Sequence, residues 1–590
     1  MSVVSPGLRS PTYKSCRDTS IGKRFQGTSL DLLRRRKRTV EGAEQRLYED
    51  LKWAGLDWDE GPGVGGKYKP YNQSSRKELY DYYAKHLLGS GYAYRCFCPS
   101  SQQQGSIAEP TEIGAKIGGC PSDCKSLSET EVSELMHSKR PFVIRFRSQQ
   151  NPIVWNDLVY GAIKMKADSG SKMFNSIADT ILMKSDGSPT YHLANVVDDH
   201  DMKITHVIRG TEWMSSTALH VALYEAFRWN PPTFAHVSLL TDEGHNKLSK
   251  RNFDVDVASL VSKFGLLPEA LVNYLVLLGW SNPTKMDVKT VEELVDIFDL
   301  KFTKGDTVVT MEKLFFLQKQ HARRRIMAAA TNADQTNQLD LLVDYLQRPA
   351  KVSAWDPTTR DEILGGRDVR LYLQSILLID SGTYETPRRY LDENNYFFKR
   401  AKPRNARPEN GSTETMKGGQ ENFDPRDAHI SDDGETLTFM ASTAKPISLR
   451  DLELTYPAEV KQMVEEIVKN DKVKETLSLW HDPAKSLPDN ARDLHDIIAG
   501  AATTCQNILH GLLIRYVARV RDEAGLTSEG ETSEMKKTPE YKTMAVDFHK
   551  YLRSLLSGRS KAGPSTFRVM AVLGYEESRR RIEEQMEALS

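Results

Sequence analysis

Thr205-His-Val-Ile-Arg209-Gly-Thr-Glu212-Trp213 passes from a short apolar run directly into charged and aromatic residues. Thr205 to Ile208 reads as a short buried strand of the kind a parallel sheet uses. An α/β enzyme presents its ligand groups at the ends of such strands, so Arg209 stands at a candidate site. Its planar guanidinium can hold a carboxylate through two parallel hydrogen bonds. The plainer alternative is a strand-end arginine in a surface ion pair.

Upstream lie Lys184-Ser-Asp-Gly-Ser-Pro-Thr-Tyr191 and Tyr191-His-Leu-Ala-Asn195-Val-Val-Asp-Asp-His200. Asp198, Asp199 and His200 have metal-ligand chemistry but read better as a polar loop that orders a pocket. Downstream comes Lys247-Leu248-Ser249-Lys250-Arg251. The small Ser249 lets the backbone approach a nucleotide, while Lys247 and Lys250 carry point charges on long stems. Such cations can follow the negative charge that builds on phosphate oxygens in a transition state. A solvated basic turn has the same composition.

Together with Leu56-Asp-Trp-Asp-Glu60, Tyr92-Ala-Tyr-Arg-Cys96-Phe-Cys98 and Leu275-Val-Leu-Leu-Gly-Trp280, these blocks resemble bacterial-type glutamyl-tRNA synthetase, a class I aminoacyl-tRNA synthetase. The resemblance runs from about residue 36 to the end. It implies that Tyr191, Asn195 and Arg209 line the glutamate pocket and that Glu212 and Trp213 lie beside the nucleotide. It makes Lys247, Leu248, Ser249, Lys250 and Arg251 the mobile ATP loop, with Lys247 and Lys250 as the catalytic cations. The implied reaction is a glutamate–tRNA ligase reaction, with ATP and Mg2+, glutamate and tRNA(Glu). Many organellar relatives also charge tRNA(Gln), and a monomer is expected. A catalytically impaired tRNA-binding relative is the alternative.

The implied fold class is an α/β Rossmann-like class I catalytic domain, incomplete at its N-terminal side, with an α+β acceptor-binding insertion and then an all-α anticodon-binding domain. The expected division is an aberrant or targeting segment at 1–36 and Rossmann-like halves at 37–95 and 179–251 around an insertion at 96–178. A stem-contact helical region at 252–330 and the helical anticodon domain at 331–590 follow, with flexible insertions near 402–436 and 524–539. Val40 to Leu56 and Ser74 to Ser90 have helical periodicity. Pro141 to Arg147 alternates like a strand, Pro152 to Lys166 has room for two more, and Asp179 to Lys184, with Thr205 to Ile208, returns the chain to the Rossmann-like domain as a short apolar strand. Leu314–Ala330, Leu339–Leu346, Leu371–Leu378, Ala458–Val468, Ala491–Arg519 and Tyr541–Leu556 suit helices.

Four of the six cysteines fall within one short segment as Cys96-x-Cys98 and Cys120-x3-Cys124. Both pairs have chelating separations, which suits a structural Zn2+ site, with four reduced thiols as the alternative. Some members of the resembled family carry zinc in this region. The longest apolar run, near Ala270 to Trp280, is too short to span a bilayer, so no membrane is expected. The chain has 80 basic and 80 acidic residues, so an RNA surface must be a local patch. The family's first strand and His-Ile-Gly-His loop have no counterpart in residues 1–36, where Asp31-Leu-Leu-Arg-Arg-Arg36 replaces an acidic segment. A misassigned start is one expectation. The arginine-rich, acid-poor composition also suits a transit peptide and a mitochondrial matrix location, with the cytoplasm of a bacterium as alternative.

Overall fold

A computed structural model describes residues 43–99, 120, 124–147, 152–165, 180–242, 244, 257–349, 355, 360–400, 423–430, 437–441, 454–455, 457–478, 488–524, 526, 532–558 and 564–587. The N-terminal segment 1–36 and the basic loop Lys247–Arg251 lie outside these residues. The chain divides into two compact units, one built from residues 1–251 and 271–310 and the other from 252–270 and 311–590.

The first unit carries, in chain order, α1 (Ala43–Trp53), α2 (Lys77–Gly89), β1 (Ala93–Cys96), α3 (Glu129–His137), β2 (Val143–Phe146), β3 (Ile153–Asp157), β4 (Gly161–Met165), β5 (Ile181–Met183), α4 (Tyr191–Asp201), β6 (His206–Gly210), α5 (Met214–Ala226), β7 (Thr233–Val237), β8 (Leu240–Thr241) and β9 (Thr307–Val308). Its central sheet has the order β4-β3-β7-β6. Strands β6 and β7 are parallel, with Arg209 opposite His236, and α5 is the crossover that parallel neighbours require. That helix is buried on almost every side, as its run Thr217-Ala-Leu-His-Val-Ala-Leu-Tyr224 demands.

Most of the expected elements form close to their sequence positions, including the helices α1 and α2 and the β3–β4 hairpin. Sheet membership differs from expectation. Strand β5 pairs antiparallel with β2 in a separate β1-β2-β5 sheet and does not join the parallel strands. Instead β3, from the segment expected to be an insertion, pairs parallel with β7 through Asp157 and Phe234. Strand β2 is buried along its whole length and shows no in–out alternation in its burial. Asp198, Asp199 and His200 belong to α4, which corrects the loop expected there. Asp198 receives Arg76 Nε at 2.8 Å, Gln73 Nε2 at 2.9 Å and the Tyr80 hydroxyl, and so ties α4 to α2 and the turn before it.

Among its described residues the second unit is helical apart from a hairpin, Phe423–Ile430 with Leu437–Ala441. The first strand of that hairpin falls inside the segment 402–436 expected to be a flexible insertion, most of which lies outside the described residues; of the other expected insertion, 524–539, residues 525 and 527–531 lie outside them and Thr532–Met535 forms a short helix. The helix Ala491–Glu523 runs through this unit and packs against Val369–Ile379, Pro457–Val468, Pro539–Ser557 and Thr566–Leu573. By length and composition it could cross a membrane, with an 18-residue window of mean hydropathy 1.4, and it exceeds the run near Ala270. Leu494, Ile498, Cys505, Leu509, Leu513 and Val517 are nevertheless buried along one side, which marks it as a core helix. Sequence reading missed the helices Asp471–Ser478 and Tyr575–Glu587 because charged residues dominate both.

Candidate functional site

Two elements converge at the end of the parallel strands. On α4, Tyr191 and Asn195 are four residues apart and therefore share one face. After β6 the chain makes a single 3-10 turn, Thr211–Trp213, and enters α5. The Tyr191 and Trp213 rings meet with centroids 4.5 Å apart, which closes one wall. Tyr191, Asn195, Arg209, Glu212 and Trp213, the site residues expected on this unit from the sequence, fall on these two converging stretches. Arg209 belongs to β6 itself, which runs two residues beyond the strand end expected at Ile208.

Arg209 is 1% exposed. Its Nη2 donates to Thr217 Oγ1 at 2.6 Å, its Nη1 meets His220 Nδ1 at 3.2 Å, and its Nε reaches His236 Nε2 at 3.4 Å. The guanidinium also lies over the Phe234 ring, 5.2 Å from its centroid. No carboxylate among the described residues comes within ion-pair distance of it. Burial lowers its pKa, against the raising influence of Tyr191 and Asp199. Asp199 supplies little counter-charge near neutrality, because burial and the neighbouring Asp198 push its carboxyl up to about 8.

The imidazole pair beside the arginine is fixed by it. His220 is held neutral, its pKa pushed well down by burial first and by the Arg209 charge second. With Nδ1 accepting from Arg209, its Nε2 faces His192 Nδ1 at 3.1 Å as donor. Asn195 keeps a buried Oδ1 without a protein hydrogen-bond partner among the described residues. A buried acceptor of this kind calls for a donor, and an amino or amide group of a ligand is one source. Gly210 allows the Glu212 carboxylate to fold back over the main chain, since a β-carbon there would overlap it.

Asp157, Thr217, His220 and His236 were not found from the sequence. His220 and His236 are single polar residues flanked by apolar ones, which was the signal available for them, whereas Asp157 follows Asn156 and Thr217 follows Ser215 and Ser216. Their partners lie on β3, β6, β7, α4 and α5 and on the turn Thr211–Trp213.

The four cysteines form a second site. Cys96 ends β1, Cys98 follows it, and Cys124 opens a short 3-10 turn. Sulfur separations are 3.4 Å for Cys96–Cys120, 3.6 Å for Cys98–Cys120 and 3.7 Å for Cys98–Cys124, and all four lie within 4.8 Å of one another. Four thiolates at metal–sulfur distances of about 2.3 Å in a tetrahedron are about 3.8 Å apart, so the set fits a zinc-sized ion. Burial pushes the Cys96 thiol up to about 12 and the Cys124 thiol up to about 11. A metal would have to displace those protons. Arg145, fully buried and hydrogen-bonded to Cys96, provides a positive charge beside the sulfurs.

Residues 34–315 match the family described as tRNA synthetases class I (E and Q), catalytic domain. A mitochondrial glutamate–tRNA ligase of Schizosaccharomyces pombe is 40% identical over 364 residues, which is 62% of this chain and 64% of that protein. A glutamate–tRNA ligase of Borrelia duttonii is 39% identical over 313 residues, 53% of this chain and 59% of that protein. The chain thus spans less than two thirds of the length of these curated relatives. A crystal structure of a glutamate tRNA ligase from Elizabethkingia meningosepticum, in complex with its amino acid, superposes with a TM-score of 0.57 at 26% identity, covering 94% of this chain and 91% of that one.

Proposed function

We propose that this chain is a class I glutamate–tRNA ligase, a reading supported by the match of residues 34–315 to the family described as tRNA synthetases class I (E and Q), catalytic domain, and by the likeness to the S. pombe enzyme. The observation that carries the reading is the buried Arg209 guanidinium with no carboxylate in ion-pair distance among the described residues. A buried cation without a counter-charge is costly, and an amino-acid carboxylate is a ligand that supplies one. Tyr191 and Asn195 complete the glutamate pocket in this reading. Glu212 and Trp213 take the nucleotide side, and Lys247, Leu248, Ser249, Lys250 and Arg251 form the ATP loop.

The α-carboxylate of glutamate attacks the α-phosphate of ATP, giving glutamyl-adenylate and releasing pyrophosphate. A terminal ribose hydroxyl of tRNA(Glu) then attacks the acyl carbon, and AMP leaves. No side chain is consumed, so catalysis is positioning and charge stabilisation, with Lys247 and Lys250 following the phosphate charge. Mg2+ would accompany ATP and offset the charge of its phosphates. Structural zinc on Cys96, Cys98, Cys120 and Cys124 belongs to the same proposal, as do tRNA(Gln) as a second acceptor, a monomeric state, and stem-contact and anticodon-binding roles for 252–330 and 331–590. A mitochondrial matrix location draws support from the S. pombe relative.

Charging of tRNA with labelled glutamate, and with glutamine in parallel, tests the proposal. Glutamate should be attached and glutamine refused. A Lys250→Ala variant should lose on the order of 10²-fold in rate with little change in affinity. An unchanged rate contradicts the loop's assignment, and tRNA binding without charging identifies a binding-only relative instead.

A further inference from the structure

We propose that Asp157, His236 and Thr217 form a positioning relay that holds the Arg209 guanidinium in the orientation an amino-acid carboxylate meets. The inference deepens the pocket assigned above and rests on that reading. Asp157 ends β3 and is itself immobile, because its Oδ1 accepts the backbone N–H groups of Val159 at 3.0 Å and Tyr160 at 2.9 Å. Its Oδ2 lies 2.6 Å from His236 Nδ1. A carboxylate only accepts, so Nδ1 carries the imidazole proton and Nε2 keeps a lone pair. That lone pair faces Thr217 Oγ1 at 2.9 Å. With its proton directed to Nε2 or to the Trp213 carbonyl at 3.0 Å, the threonine oxygen turns a lone pair to Arg209 Nη2 at 2.6 Å.

The relay's direction matters. Asp157, His236 and Thr217 are all within 1% of complete burial. Three polar residues at full burial are an expensive way to fill a core, and apolar residues of similar volume would do it better. Here each satisfies the next, and the chain of bonds terminates on the Arg209 guanidinium, which interacts with Tyr191 of the pocket wall. His220 supports the other guanidinium nitrogen, so the planar group is held at both ends. Fixing that plane is what a bidentate carboxylate contact requires, since a small rotation loses one of its two bonds.

Thr217→Val keeps the side-chain volume and removes the hydroxyl. The relay predicts that KM for glutamate rises about 10-fold or more while KM for ATP stays within about twofold, and that Thr217→Ser restores the wild-type value. Thr217→Ala serves in the same way where valine is not tolerated. An unchanged glutamate KM, or an equal rise in both KM values, overturns the proposal. Crystal structures of wild type and Thr217→Val provide a readout independent of turnover: the guanidinium should leave its wild-type position in the variant, and a superposable Arg209 overturns the relay. If wild type charges no tRNA with glutamate, the reading of the reaction fails, and the position of Arg209 in the variant crystal alone still decides whether the relay exists.

Discussion

Arg209 and its neighbour divide two tasks at adjacent positions. Arg209 needs a long, fully held side chain, whereas residue 210 must have none, because the Glu212 carboxylate occupies the space a β-carbon would take. The backbone at 210 is ordinary for any residue, with φ near −68°. Gly210→Ala should therefore displace a flexible carboxylate rather than strain the fold. We expect a stability change within about 1 kcal/mol by chemical denaturation and a loss of about 10-fold or more in the charging rate. Asp199 makes a different prediction. Its carboxyl is raised to about 8, first by burial and then by Asp198, with Arg209 opposing. The folded state therefore binds this proton more tightly than the unfolded chain. The resulting stabilisation is complete below the unfolded value near 4, shrinks as pH rises, and is gone once pH passes about 8. Measured against Asp199→Asn, wild type should lose up to about 1.4 kcal/mol of relative stability per pH unit between pH 5 and 8. A constant difference contradicts it. At this scale the sequence was legible where residues occur in blocks, as with Tyr191, Asn195, Arg209, Glu212 and Trp213. It was silent on Asp157 and His236, whose bond joins residues 79 positions apart.

Elements were easier to read than their pairing. Helical periodicity located α1, α2 and the long helix Ala491–Glu523, because burial of one face imposes a pattern within the segment itself. Strand β5 was foreseen as a strand but not as a partner of β2. A three-residue apolar strand, Ile181-Leu-Met183, holds no information about which edge it will join. The same limit applies to the join between α2 and α4. Arg76 and Asp198 are both buried and bonded, and Asp201 adds a second carboxylate at 2.6 Å from Nη2. Removing the cation alone would leave the enclosed Asp198 carboxyl, whose pKa burial already raises, without the charge that opposes that shift. Arg76→Ala should cost about 3–5 kcal/mol in denaturant unfolding, more than a double change that also replaces Asp198 with an apolar residue. The cysteine site belongs at this scale too. Its ligand pairs were visible as spacing, but convergence of the pairs depends on how β1 and the turn at Cys124–Ser126 are brought together.

For the molecule as a whole, equal numbers of acidic and basic residues mean that any hold on RNA is exerted by local patches against a neutral background. Binding to tRNA should still release counterions. We expect the logarithm of the association constant to fall linearly with the logarithm of salt concentration in filter-binding measurements between 50 and 200 mM, by about 10³ for roughly six phosphate contacts. A flat salt dependence would rule out phosphate contacts as the source of affinity. The hairpin β3–β4 has a consequence of another kind. It lies within a segment that the sequence presents as an inserted module, yet β3 is hydrogen-bonded to β7 and ends on Asp157. Such a hairpin cannot be exchanged like a cassette. A chimaera that takes 153–165 from a relative also imports the residue at 157, two strands from Arg209, which sets the tautomer of the His236 imidazole. Grafting boundaries, and the inheritance of specificity between relatives, follow the bonded sheet rather than the linear order of the chain.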